Sequence, residues 1–398
     1  MKMKILYFMN NTDHGGAALA LLDLVTQINE NYPEYELIVV TGKKNNLNVK
    51  LTEIGIENYF FPFRNFISSY KKPAILWTIL YKIRHYIGNR MALKKIEKKI
   101  DLKKIDIIHS NLNRIDIGAI LAKKHSIPHL CHIREHLDVW YFYNKLDHRK
   151  FEYDFKVLTT EKNYIFYMCS FSTKYIAISN SVAMDWCKKG LSQSSIVKVY
   201  DGIKLPQVFG DKKWFRNKKI NIVFVGGYDI KKGQELFLSY FLKLPKEIQM
   251  QYTLTFYGSG KSKYIKKLQK MSQHLCSDQV KFHSYIDNLT ELLPNYDIGI
   301  NFSTMEGFGR VTVEYLANGL CVVANKSGAS PELITEEVGF LIDKDNQDEF
   351  IQLFTKLSIE KNKIRQMGNK AVNQAQKFSI NQHTREIINV YQEMRNKQ

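Results

Sequence analysis

The chain has 398 residues, 44% of them apolar, and its 58 Lys and Arg against 39 Asp and Glu leave a net charge of +19. That length exceeds what one hydrophobic core usually supports, so two domains of about 200 residues each are predicted. The apolar content excludes a disordered chain. Five scattered cysteines (Cys131, Cys169, Cys187, Cys276, Cys321) without C-x-x-C spacing exclude a disulfide framework or a zinc site, which fits a reducing cytoplasm.

The opening MKMKILYFMNNTDHGG carries too short an apolar run for a signal peptide, and no stretch approaches the roughly 20 apolar residues that span a bilayer. A soluble or peripheral protein is expected. Residues 4–9 read as a buried strand, followed by Gly15-Gly16 and an apolar-periodic helix over 17–28. Strand-like runs recur at 36–41, 59–62, 106–110, 128–133, 175–178 and 196–199, with helical segments between most of them. Such alternation predicts a doubly wound parallel sheet.

Residues 71–104 interrupt that rhythm. Over 64–104 there are twelve Lys and Arg against Glu97 and Asp101, a net of +10. Leu76, Ile79, Leu80, Ile83 and Ile87 are expected on one apolar helical face, continued by Met91, Ile96 and Ile100. Trp77, Tyr81 and Tyr86 are interleaved with cations. A sheet-covering helix would account for the apolar stripe alone. The added charge favours attachment to an anionic membrane surface, where each nearby Lys or Arg adds about 1 kcal/mol. Nucleic acid is the other common partner of a basic chain, but no binding module for it is present and the charge follows an apolar-faced helix.

A turn at Tyr200-Asp201-Gly202-Ile203 and a polar crossing over 205–219 separate the halves. The second half repeats the alternation, with strands at 220–225, 252–257, 280–283 and 297–302 and helices opening near Gly233 and Lys261. Residues 301–333, NFSTMEGFGRVTVEYLANGLCVVANKSGASPEL, carry the strongest chemical signal. A strand ends in Glu306, Gly307, Phe308 and Gly309, and a helix is predicted from Arg310 until Asn318-Gly319 stops it. Glycines on either side of Phe308 let backbone approach a phosphate, and a helix N-terminus supplies N–H groups and a positive dipole end. Glu306 and Glu314 flank that anion site; a carboxylate there suits a sugar diol, from which it accepts two hydrogen bonds. Residues 347–357 and 381–395 read as closing helices. Asp343 and Asp345 form a D-x-D, but in a turn after Gly339-Phe340-Leu341, and no metal site is expected.

The run EGFGRVTVE–YLANG–LCVVA–SGASPE resembles the donor site of family 4 of the retaining nucleotide-sugar glycosyltransferases, strongly over about 220–340 and more weakly over nearly the whole chain. The resemblance implies an α/β GT-B architecture: two Rossmann-like, doubly wound parallel-sheet domains facing across a cleft. Residues 1–204 would be the acceptor-side domain and 205–380 the donor domain, with 381–398 a helix crossing back to the first. It further implies a metal-independent hexosyltransferase with retention of configuration. The donor would be a nucleotide-sugar, most often UDP-linked. The acceptor would be a lipid-linked or cell-surface glycan such as capsule or lipopolysaccharide, at the inner membrane face.

Carried over residue by residue, Glu306 serves hydroxyls of the transferred sugar and Glu314 those of the ribose. Gly307, Phe308 and Gly309 offer amides, and Gly258 belongs to the nucleotide's base pocket with the segment near 283–286. Gly16 completes the phosphate side. The loop VGGYDIKKG resembles the family's diphosphate loop, with Lys232 at the Lys position and Gly227 where the family has Arg; Arg310 or Lys231 could supply the missing cation. His109 and the cluster His132, Arg134, Glu135 and His136 end two strands on the acceptor side. Arg134 stands where many relatives have a His, which leaves His132 or His136 for the catalytic side. Competing readings are a non-catalytic GT-B subunit, supported by Gly227 alone, and a UDP-sugar epimerase.

Overall fold

A computed structural model describes residues 2–10, 15–66, 75–137, 141–142, 156–157, 161–171, 173–206, 212–276, 278–287 and 289–396. They form two compact units, Met1–Gly202 with Ile380–Gln398, and Ile203–Ser379.

The first unit is built on strands β1 (Met3–Met9), β2 (Tyr35–Thr41), β3 (Glu57–Phe60), β4 (Ile107–Ser110) and β5 (His129–Ile133). A short parallel pair, β6 (Tyr141–Phe142) and β7 (Lys156–Val157), lies apart from the sheet, which β8 (Thr173–Ala177) and β9 (Ile196–Lys198) complete. Its seven strands run β3-β2-β1-β4-β5-β8-β9, parallel throughout. Central strands such as β1 are near-continuous apolar runs because helices cover both faces of such a sheet. The helix Gly16–Asn31 buries Leu21, Leu24, Val25 and Ile28 against it. The last helix, Ile380–Arg395, adds Ile387, Ile388, Val390 and Tyr391 to the same core.

The basic stretch forms one 25-residue helix, Ile75–Lys99, and its apolar residues fall on two faces. Asn89, Ala92 and Ile96 are buried, as is Ile100 just beyond the helix, whereas Ile83, Tyr86, Ile87 and Met91 are exposed. At about 100° per residue Ala92 and Ile96 stand roughly opposite Ile83. The predicted single stripe from Ile83 to Ile100 is therefore corrected: core packing takes its C-terminal half, and Ile83, Ile87 and Met91 form a separate exposed ridge at i, i+4, i+8 spacing. Residues 71–74 of this stretch lie outside the described residues, as do the side chains of 75–79, Leu76, Trp77 and Ile79 among them.

The second unit carries β10 (Ile220–Val225), β11 (Tyr252–Tyr257), β12 (Val280–His283), β13 (Ile298–Asn301), β14 (Cys321–Asn325) and β15 (Gly339–Ile342). They form a six-stranded parallel sheet in the order β12-β11-β10-β13-β14-β15. The sequence reading missed β15 and the helix Lys361–Ala375. β15 has only four residues. The helix buries Gly368, Ala371 and Ala375 beside Ile364 and Met367, so its inner face is too small-sided to show as an apolar stripe. Its closeness is visible at Gly368, where a Cβ would come 2.4 Å from the Gly319 carbonyl oxygen.

Candidate functional site

In the second unit β13 ends at Asn301 and the helix Arg310–Ala317 begins at Arg310, as the sequence predicts. Asn301 Nδ2 donates to Thr312 Oγ1 at 2.9 Å and thereby ties strand to helix beneath the loop. Gly309 caps the helix with φ +98°, a left-handed conformation that disfavours a side chain. Glu306 lies beside this cap, since a Cβ on Gly309 would be 3.2 Å from Glu306 Cγ. The positive end of the helix dipole thus sits at the Glu306–Gly309 loop. Phe308 buries its ring edge-on to Phe378, 5.8 Å between centroids, which anchors the loop from below.

Lys232 reaches this loop from the other side. Its stem runs across Gly226, whose φ is +157°, and Lys232 Nζ meets Glu306 Oε2 at 3.1 Å. The pair is part-exposed, 38% for the lysine side chain and 17% for the glutamate, so it contributes under about 1 kcal/mol to stability. A second anion can compete for the ammonium at little cost. Two glycines crowd the strand ends below: a Cβ on Gly258 would come 2.0 Å from the Gly226 carbonyl oxygen, and one on Gly233 2.3 Å from that of Phe302. Gly227 is exposed, and its carbonyl accepts from Gln234 Nε2 at 2.9 Å.

Glu314 stands one turn into the helix, half-buried. The Tyr285 phenol is pushed up by burial first, then by Asp287, with the charge of Glu314 adding to it. That places Glu314 near the 283–286 segment. The structure therefore gathers Lys232, Glu306, Gly309 and Arg310 around one loop, with Glu314 and Tyr285 on the flank.

A residue that sequence reasoning missed is Gly328. It has φ +56°, and a Cβ there would lie 2.2 Å from the Glu306 carbonyl oxygen, which itself accepts from Ala329 N–H at 2.9 Å. The glycine in SGASPE was the available signal. Asp343 Oδ1 accepts from Asp345 N–H at 2.9 Å, and Lys344 Nζ holds Asp345 at 2.7 Å, so the D-x-D closes a turn.

The residues singled out in the first unit form a buried chain of partners. His109 and His132 are fully buried and stacked, 4.8 Å between centroids, with His109 Nε2 2.8 Å from His132 Nδ1. His109 Nδ1 meets the Tyr391 hydroxyl at 2.6 Å, and that hydroxyl lies 2.7 Å from the Tyr7 hydroxyl. Burial, then the Arg134 charge, holds both imidazoles well below the usual histidine range, so they are neutral. Arg134 Nη1 bonds both carboxylate oxygens of Asp201, at 2.7 and 2.6 Å, and its Nη2 donates to Asn111 Oδ1 at 2.8 Å. Asn111 Nδ2 in turn donates to the Ala17 carbonyl at 2.8 Å, next to Gly16 at the head of the first helix. Asn111, Asp201 and Tyr391 were not among the predicted site residues.

His136 takes other partners, Asp185 at 3.6 Å and Ser181 at 3.3 Å, and Glu135 pairs with Arg114. Among the described residues His132, Asp201 and His383 set metal-ligating atoms within 4.8 Å of one another. Arg134 already fills the cation's place beside Asp201, so that trio does not fit a metal.

Two parallel α/β sheets, with a glycine-rich loop and paired carboxylates on the second, define the GT-B class of glycosyltransferase fold. The model for glycosyl transferases group 1 matches residues 209–374. A protein of the cps region of Klebsiella pneumoniae is 28% identical over 180 residues, 41% of this chain and 46% of that one, so the match spans under half of that relative. A glycosyltransferase of Methanocaldococcus jannaschii is 24% identical over 337 residues, covering 82% of this chain and 88% of its own. Anabaena HepE, solved with UDP and with UDP-glucose, superposes with TM-scores of 0.76 and 0.74 at 19% identity. In each case 98% of this chain and all of that one are covered. The fold is GT-B, and the family match supports a glycosyltransferase.

Proposed function

We propose that the chain is a retaining, metal-independent hexosyltransferase of family 4. It would move a sugar from a UDP-sugar to a lipid-linked or cell-surface glycan at the inner membrane face. The observation that carries this reading is Glu306 beside Lys232 at the positive end of the Arg310–Ala317 helix, with Glu314 one turn further on. The capsule-region relative and the UDP complexes of Anabaena HepE support the acceptor and donor classes.

The chemistry follows from the charges. The bond between the sugar's anomeric carbon and the diphosphate oxygen breaks, and negative charge grows on the leaving UDP. Lys232 and the helix dipole stabilise that charge. The acceptor hydroxyl forms the new bond on the same face, and its proton passes to the departing phosphate oxygen. Glu306 accepts hydrogen bonds from the transferred sugar, and Glu314 from the ribose, where its exchange with water costs little because it is half-buried.

Calorimetric titration of the full chain with UDP, GDP and dTDP, without and then with magnesium, tests the donor assignment. Metal-independent binding of UDP, weakened at least tenfold in Glu314→Ala, is expected. No binding of any nucleotide overturns it and favours the non-catalytic reading that Gly227 supports.

A further inference from the structure

β13 and the Arg310–Ala317 helix flank the Glu306–Gly309 loop, and one segment of the second unit holds both elements at their far ends. Lys212, in the crossing over 205–219, sets its Nζ 2.6 Å from the Gly319 carbonyl oxygen and 3.5 Å from that of Asn318, where the helix stops. A helix leaves its last carbonyls unpaired and carries a negative dipole end there, so an ammonium answers both needs. The Trp214 ring covers that ammonium, its centroid 4.2 Å away. Three residues after Lys212, Phe215 N–H donates at 3.0 Å to buried Asp297, which immediately precedes β13. Asp297 also accepts from Asn221 N–H at 2.7 Å.

The segment adopts this course against resistance. Burial pushes the Lys212 amine down to about 7, while Asp297 and Cys321 pull it the other way. Phe215 has φ +51° and ψ +51°, and Asn217 and Lys218 follow at φ +55° and +61°. A bulky side chain in that left-handed region is an outlier, and it persists only where its surroundings fix it. Asp297 is one such restraint. Trp214 is another: a Cβ on Gly368 would come 2.3 Å from its ring, so the indole lies directly on the Lys361–Ala375 helix.

We propose that Lys212 is a positioning residue for the candidate donor site. It ties the end of the Arg310–Ala317 helix to the segment that also holds the foot of β13, and so fixes strand against helix. The Glu306–Gly309 loop bridges those two elements, and its shape follows from their spacing. Lys212 acts through the helix, about 12 Å along its axis from the Gly309 cap by the rise of eight residues. The inference rests on the proposed function for the word donor; the bracing of the loop is measured without a ligand.

The test compares the full wild-type chain with Lys212→Met, which keeps the apolar stem but no N–H, and Lys212→Arg, which restores a cationic donor. Amide hydrogen exchange at pH 6, where Lys212 is charged, reads the loop through three N–H groups. Thr312 and Val313 bond the Gly309 carbonyl, and Ala329 bonds that of Glu306. These amides should exchange about tenfold faster in Lys212→Met, with β10 and β11 at wild-type rates, and recover in Lys212→Arg. UDP-glucose affinity by calorimetry should fall about fivefold in Lys212→Met and return in Lys212→Arg. If Lys212→Met does not fold, Lys212→Gln, too short to reach Gly319, takes its place with the same expectations. Unchanged exchange at the three amides overturns the proposal. Faster exchange throughout the unit with wild-type UDP-glucose affinity also overturns it, leaving Lys212 a general stabiliser. Faster loop exchange with no UDP-glucose binding by the wild type supports the brace and overturns the donor reading.

Discussion

Lys232 and Glu306 lie 74 positions apart and meet at 3.1 Å over the cap of the Arg310–Ala317 helix. A cation and an anion thus share the place where the donor's diphosphate and sugar would be parted. Glu306→Ala is expected to lower kcat by about 100-fold or more, the usual effect of losing one preorganised contact to the reacting centre. Lys232→Met should raise the donor's KM as well as lower kcat. Steady-state kinetics with a UDP-sugar, alongside a thermal melt showing an intact fold, checks both. Near-normal turnover in Glu306→Ala would remove that residue from the reaction.

Gly328 is expected to matter through Glu306. Its Cβ would sit 2.2 Å from the Glu306 carbonyl oxygen and 2.7 Å from the Glu306 nitrogen, at φ +56°. Gly328→Ala must shift one backbone or the other, at a cost of about 1–3 kcal/mol. The urea midpoint should fall, and activity should fall further than the remaining folded fraction explains. Wild-type activity in a destabilised Gly328→Ala would show that the loop position is not demanding.

The two faces of the Ile75–Lys99 helix should separate by mutation. Ile83, Ile87 and Met91 to Ser touches the exposed ridge only, so binding to anionic vesicles should drop about tenfold with stability unchanged. Ile96→Ser buries an uncompensated hydroxyl and opens a hole in the first unit's core, and it should destabilise by about 2–4 kcal/mol. Vesicle sedimentation and denaturant titration read the two effects. Sedimentation of the triple Ser variant equal to wild type would return the ridge to ordinary surface.

Acid should destabilise the first unit through buried neutral histidines. His129 bonds Ser110 and Thr173 at 2.9 and 2.8 Å, and burial pushes its imidazole down to about 3. His109 and His132 are also held low by burial. The unfolded chain takes up these protons near the usual value of about 6.5, and the folded chain does not, so stability falls as pH drops from there toward 3. Each such group contributes about 1.4 kcal/mol per pH unit in that window. Urea unfolding at pH 7, 6 and 5 should show this loss, with the slope reduced by about one proton in His129→Gln. A flat profile would mean the histidines are protonated in place.

Much of the candidate donor site was legible because it is local. The strand through Asn301, the glycines around Phe308, the helix start at Arg310 and its stop at Asn318-Gly319 are all encoded within a few residues of one another. Each follows from backbone preference and apolar period. Gly328 escaped because its demand comes from a neighbour, the backbone of Glu306, rather than from its own turn. Asn111 and Asp201 escaped for the same reason: each is defined by its bond to Arg134, 23 and 67 positions away.

The sequence alone determined the α/β alternation, the parallel sheets and the strand, loop and helix that carry Glu306 and Glu314. These depend on periodicity and on residues adjacent in the chain. Tertiary structure alone decided which face of the basic helix is core. Ile83, Ile87, Ile96 and Ile100 are equally apolar, and only the sheet beneath the helix distinguishes those it covers from those it leaves outside. It also decided that Lys43, Arg64 and Arg114 share one cavity with Asn10, because parallel strands bring their carboxyl ends to one edge from distant points in the chain.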